Sequence, residues 1–131
     1  MLHLAIHSFG YHRSGIPSDP SGNGGGFVFD CRILPNPGRD QRYAGLSGLD
    51  HAVGDFLAQR IETKEFLSHA LALVEAAARN YTDRGFTHLM VSFGCTGGQH
   101  RSVYIAKRVA AELRSRGYDV TVTHTERERW Q

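Results

Sequence analysis

At 131 residues, 40% hydrophobic and 21% charged, the chain is expected to fold as one domain, residues 1–131, with a real core. A net charge of +2 is too small to argue for nucleic acid by itself, though Arg39, Arg42, Arg101, Lys107, Arg108, Arg114 and Arg116 could gather into a local patch. No apolar run approaches the roughly 20 residues of a membrane-spanning helix, so no membrane partner is expected. Cys31 and Cys95 show neither a disulfide framework nor a Cys-x-x-Cys spacing, and Met1–His7 is too short and mixed for a signal peptide. The expectation is a reducing, cytoplasmic setting.

Leu2, Leu4 and Ile6 alternate with His3, Ala5 and His7, which predicts a first strand. Ser8 to Gly26 is rich in glycine and broken by Pro17 and Pro20, and reads as a mobile surface loop. Phe27–Leu34 predicts a second strand with Asp30 and Arg32 on its polar side, ended by Pro35 and Pro37, which exclude regular structure. Asp50 is placed as the N-cap of a short helix burying Val53, Phe56 and Leu57, and a longer helix is expected from about Thr63 to Arg79. Thr87–Phe93 predicts a central strand buried on both faces. A helix then buries Val103, Ala106, Val109, Ala110 and Leu113 and stops at Gly117, and Val120–His124 is the last strand. The unit from Thr87 to His124 predicts a right-handed crossover and a parallel pair. The tail Thr125–Gln131 alternates Glu126 and Glu128 with Arg127 and Arg129, and is expected to be a solvated end. The fold class is α/β: a mainly parallel sheet flanked by helices.

The chemistry concentrates where Leu89–Phe93 runs through Gly94-Cys95-Thr96-Gly97-Gly98-Gln99-His100-Arg101-Ser102 into a helix. A strand–loop–helix junction aims backbone N–H groups at one spot with the positive end of the helix dipole behind them. Gly97 and Gly98 let an anion approach the main chain, and Arg101 adds a fork suited to phosphate or carboxylate. Three readings stay open. The glycines could simply make a tight turn with Arg101 in a structural ion pair. Cys95, separated by five residues from Arg101 and Ser102, also has the spacing of the cysteine-dependent phosphatase loop, in which a thiolate attacks phosphorus. That reading needs a general acid, for which Asp19, Asp30 and Asp40 are candidates without a motif. The third reading is non-covalent phosphate recognition.

Several stretches resemble the C-terminal domain of the RapZ (YvcJ-like) RNase adapter family. They are Ile6-His7-Ser8-Phe9-Gly10, Phe29-Asp30-Cys31-Arg32-Ile33-Leu34-Pro35-Asn36-Pro37, Gly48-Leu49-Asp50, Gly94 to Ala106, and Leu113-Arg114-Ser115-Arg116-Gly117. The resemblance implies an α/β domain that binds a phosphorylated amino sugar, glucosamine 6-phosphate. It also implies small regulatory RNAs and an RNA-processing nuclease as partners, and assembly into homo-oligomers. It places Asp30, Thr96, Gly97, Gly98, His100 and Arg101 around the ligand. Where the family reads Asn-Pro-His, this chain reads Asn36-Pro37-Gly38, and Glu126-Arg127-Glu128-Arg129 stands in place of a lysine-rich tail. The family's N-terminal nucleotide-binding domain is expected to be absent.

The expected site for phosphate and ligand therefore comprises Asp30, Arg32, Asn36, Cys95, Thr96, Gly97, Gly98, Gln99, His100, Arg101 and Ser102, with His7 and Ser8 as possible additions. The expected role is regulatory binding of a phosphorylated metabolite, RNA or both, with no cofactor and no metal. The alternative is a phosphohydrolase or RNA-end-processing enzyme with Cys95 as nucleophile.

Overall fold

Four strands organise the computed structural model, which describes residues 1–131. Strands β1 (His3–Gly10), β2 (Phe27–Asp30), β3 (His88–Cys95) and β4 (Asp119–His124) form one sheet in the order β2-β3-β1-β4. Every neighbouring pair is parallel, and at the centre of the sheet His7 stands between Ser92 and Thr123. Strands β3 and β4 do run parallel as the sequence predicts, but they are not partners. β1 lies between them and pairs with both, because it is the most uniformly buried strand after β3 and takes a central place.

The helices are α1 (Gln41–Ala44), α2 (His51–Ala58), α3 (Ile61–Asp83) and α4 (Arg101–Ser115). Side chains alternate across a strand, so Leu4 and Ile6 leave β1 on one side and Ala5, His7 and Phe9 on the other. The first set joins Leu89, Val91, Phe93 and Val120 in a core with Val53 and Leu57 of α2, Ala70, Val74 and Ala78 of α3, and Ile105, Val109 and Leu113 of α4. All of this lies on one face of the sheet. The opposite face is crossed by residues 11–26: Asn23 Nδ2 donates to the His88 carbonyl at 2.8 Å, and Gly26 packs on the Met90 carbonyl so closely that a Cβ there would collide with it. A glycine-rich segment thus does on this face what helices do on the other.

Several boundaries differ from the sequence reading, some for local reasons and some for contacts distant in the chain. β1 continues through Ser8 to Gly10, since its pairing with β3 carries on to Cys95. β2 stops at Asp30 instead of Leu34. Asp30 Oδ1 accepts from Arg32 N–H at 2.9 Å and turns Cys31–Ile33 into a short 3-10 segment. A second such turn at Pro37–Arg39 carries Pro37 at its first position, where the missing N–H costs nothing, and Asn36 caps it. α3 is longer than expected at both ends. Asp50 occupies the N-cap of α2, but its Oδ2 accepts from Ser47 N–H at 2.7 Å and caps the preceding turn rather than the helix. The largest correction is the tail. Glu126 is 1% exposed and Trp130 is half-buried, so Thr125–Gln131 is not a solvated end.

Candidate functional site

The loop from β3 to α4 lies at the carboxyl end of the sheet, where parallel α/β folds place their ligands. A cavity of about 220 Å³ opens there, walled by Cys95, Thr96, Gly97, Gln99, His100 and Arg101 from the loop. Asn36, Gly38 and Ala44 close the side toward α1, and Gln131 closes the side toward the tail.

No backbone N–H from Thr96 to Arg101 donates to a protein acceptor. Buried main-chain donors are almost always satisfied, so such a run at a helix start is the local signature of an anion nest. Two glycines make the run possible, in different ways. Gly98 adopts a φ of +71°, and a Cβ on it would lie 2.6 Å from Glu126 Cγ and 2.7 Å from the Gly10 nitrogen. A Cβ on Gly97 would meet nothing within 4 Å, because Gly97 faces the opening.

Arg101, only 6% exposed, is fixed by one end of its guanidinium. Nη1 donates to the carbonyls of Arg32 at 3.0 Å and Leu34 at 3.2 Å, which ties the turn after β2 to the start of α4. Nη2 has a single long bond to Thr96 Oγ1 at 3.4 Å, and Nε has no partner at all. The Nε–Nη2 edge is the edge that takes two oxygens side by side, as Arg32 does on Asp30 in this same molecule (2.9 and 2.7 Å). In Arg101 that edge is buried and its Nε is unpaired.

His100 is neutral for a geometric reason. Its Nε2 faces the Tyr43 carbonyl at 3.0 Å, which can only accept, so the proton sits on Nε2 and Nδ1 carries a bare lone pair. Burial lowers its pKa, against the opposing carbonyl bonds, and the adjacent Arg101 charge lowers it further. Gly38 leaves the room beside that lone pair: a Cβ there would sit 3.2 Å from Nδ1 and 3.1 Å from Asn36 Oδ1.

Other expected site residues have structural work. Gln99 Nε2 donates to the Leu46 carbonyl at 2.8 Å and Ala44 at 3.3 Å, which secures the α1 side of the cavity. Ser102 stands behind the wall, its Oγ 3.1 Å from Cys95 Sγ. Ser8 Oγ bonds His124 Nδ1 at 2.6 Å, beneath β4. His7 lies on the opposite face of the sheet, where burial, and next the neighbouring His88, lower its pKa against the pull of Asp19. Asp30 and Arg32 pair with each other at the surface, with Arg32 stacked 3.9 Å over the Tyr11 ring, and neither lines the cavity. The cationic residues suspected of forming a patch are dispersed: Arg42 pairs with Asp40, Arg116 with Glu75, Arg108 bonds the Tyr104 hydroxyl and Arg101 is buried.

The sequence reading missed the tail's part in the site. Glu126 accepts from Gly10 N–H (3.0 Å), Ser14 N–H (2.9 Å), Ser14 Oγ (2.9 Å) and Arg129 Nη1 (3.0 Å). Burial pushes its carboxyl up, but these donors outweigh burial and hold it below the ordinary glutamate range. Trp130 Nε1 donates to the Gly98 carbonyl at 2.9 Å. The turn of the loop is therefore clamped from behind by residues at the far end of the chain.

The molecule thus falls in the class of parallel α/β domains with a strand–loop–helix cavity at the carboxyl edge of the sheet. Residues 2–128 match the family model described as the RapZ C-terminal domain, and the chain belongs to that family. It is 38% identical over 125 residues to a protein of Hahella chejuensis named "Nucleotide-binding protein", covering 95% of this chain and 42% of that one. A protein of the same name from Limosilactobacillus reuteri is 38% identical over 128 residues, 98% of this chain and 42% of its own length. Another from Solibacter usitatus is 39% identical over 121 residues, 92% of this chain and 36% of its own length. The chain spans about two fifths of the length of these curated relatives.

Proposed function

We propose that this domain binds a small phosphorylated metabolite non-covalently, in the cavity between Arg101 and Gly38, and serves a regulatory role toward that metabolite rather than turning it over. The observation that carries the reading is the buried Nε–Nη2 edge of Arg101, its Nε unpaired, beside six main-chain N–H groups without protein acceptors. Phosphate supplies three oxygens that such an array can saturate, and the dipole of α4 favours its charge. His100 Nδ1 and Asn36 then face the rest of the ligand. A bare imidazole lone pair takes a hydroxyl or ammonium donor, which suits the amino-sugar phosphate that the family resemblance implies.

A cavity of about 220 Å³ suits a phosphosugar, not a polynucleotide. RNA and an RNA-processing nuclease, as partners the resemblance implies, would engage other surfaces, as would a second copy of the chain. Both cysteines are unpaired and no helix is long and apolar enough to cross a membrane, in keeping with a cytoplasmic setting. The relatives' printed name agrees with a phosphate-bearing partner.

Calorimetric titration with glucosamine 6-phosphate, inorganic phosphate and free glucosamine tests the reading. Saturable binding of the phosphorylated compounds is expected. Arg101→Ala removes two charge-assisted hydrogen bonds and should weaken it by roughly a hundredfold or more. Arg101→Lys, which keeps the charge and loses the fork, should fall between. Equal affinity in wild type and Arg101→Ala would overturn the assignment.

A further inference from the structure

Beyond holding phosphate, we infer that the same loop accepts a phosphoryl group on Cys95 Sγ from donors whose leaving groups depart as stable anions, such as acyl and aryl phosphates. The inference rests on the phosphate site just described and adds a covalent step to it.

Cys95 is the last residue of β3, is among the residues that line the cavity, and has its buried sulfur against Ser102 at the start of α4. Ser102 N–H donates to Sγ at 3.5 Å, and Ser102 Oγ lies at 3.1 Å. Both groups can donate to a sulfur anion, the form of cysteine that attacks. Six residues further on, Arg101 lines the same cavity with a side chain that is almost wholly buried, and its Nε has no partner. A phosphate seated on the amides and on the Nε–Nη2 edge has its phosphorus over the loop whose first residue is the nucleophile. Cys31, the other thiol, has no such outlet. It is 0% exposed, and burial, then the nearby Cys95, push its pKa up.

The choice of donor follows from what the cavity lacks. No aspartate or glutamate lines it, and Asp30 is tied to Arg32 outside. His100 holds its one proton on Nε2 against the Tyr43 carbonyl, leaving Nδ1 as an acceptor. Nothing in the cavity can therefore protonate a departing alkoxide, and an alkyl phosphomonoester such as a phosphosugar is bound without being cleaved. A carboxylate or a nitrophenolate needs no such proton. In the transfer, the Cys95 thiol proton passes to solvent, the sulfur's electron pair forms the S–P bond, and the P–O bond to the leaving group breaks as that group leaves with its electrons. Water then supplies OH to phosphorus and H to sulfur, which releases inorganic phosphate and restores the thiol.

The test is intact-mass and peptide mapping of the full chain after incubation with acetyl phosphate or p-nitrophenyl phosphate, quenched without acid. A gain of one phosphoryl group mapped to Cys95 is expected. Free inorganic phosphate should suppress the label, and Cys95→Ser and Cys95→Ala should lose it. Glucosamine 6-phosphate should bind yet leave no label. Calorimetry with inorganic phosphate on the same sample separates the two readings. Phosphate binding without any label overturns the transfer and leaves the binding site standing, whereas absence of both removes the site itself. A label on another residue, or one that persists in the Cys95 variants, also overturns the proposal. Because mapping is done on the wild-type chain, the result does not depend on any variant folding.

Discussion

Two glycine-rich segments flank this sheet, and, Gly26 apart, they use glycine for opposite ends. In residues 11–26, Gly15, Gly22 and Gly24 have positive φ, yet a Cβ on any of them would meet nothing within 4 Å. There glycine supplies turns to an exposed strap laid over one face of the sheet. In the loop Cys95–Ser102, Gly98 also has positive φ, but it is pressed between Glu126 and the end of β1. Its neighbours keep their N–H groups free of protein acceptors while the turn is held from behind. Glycine content alone does not separate the two; a braced backbone with unspent donors does.

The sharpest way to break this comparison is to put the same methyl group into both loops. Gly98→Ala meets backbone at 2.7 Å as well as the αL penalty, and should cost about 3 kcal/mol or more and weaken phosphate binding. Gly24→Ala carries only the conformational penalty, about 1 kcal/mol, and should leave phosphate binding unchanged. Thermal melts with and without phosphate check both. Equal costs would erase the distinction between the loops.

The brace can be tested through acid. Glu126 has a lower carboxyl pKa in the fold than in the unfolded chain, so its contribution is complete above about 4.5 and is lost as pH falls through the lower folded value. His124 acts in the same sense but earlier. Burial, and then Arg127, bring its pKa from 6.5 to about 4, so the unfolded chain binds the proton first and stability drains away as pH falls across that window. Glu126→Gln should lower stability near neutral pH by about 2 kcal/mol, since it replaces an acceptor of several donors, and should flatten the steepest part of the acid limb. Urea midpoints measured from pH 7 to pH 3 read both effects. An unchanged acid limb in the variant would show that Glu126 does not brace the loop.

The smallest effect sits at the edge of the brace. Trp130→Phe removes the hydrogen bond to the Gly98 carbonyl and keeps most of the ring, so a loss of about 1 kcal/mol is expected in the same denaturation assay. Retention of full stability would restrict the clamp to Glu126.

What could be read in the sequence follows the range of the interactions. The apolar run of β3, the glycines after it and the amphipathic stripe of α4 are neighbours in the chain, so the strand–loop–helix unit was visible as a local pattern. The end of β2 was not, because the carbonyls of Arg32 and Leu34 are drawn off by Arg101 from 69 and 67 residues away. The tail was misread for the same reason. Alternating glutamates and arginines have the signature of a solvated segment, and only Gly10, 116 residues upstream, and Ser14 turn Glu126 inward. Asp30 and Arg32 looked like ligand contacts because their strand ends beside the cavity, but opposite charges two residues apart satisfied each other first.

The indole of Trp130 has a practical consequence. It is the chain's single tryptophan, and its N–H donates to the carbonyl of Gly98, which turns the Cys95–Ser102 loop. The protein therefore carries its own optical probe at the one place where occupancy would be felt. Emission excited on the red edge of the indole band, where tyrosine does not absorb, reports that spot in an unlabelled sample, and a ligand that draws the loop toward the cavity changes the indole's surroundings as it binds.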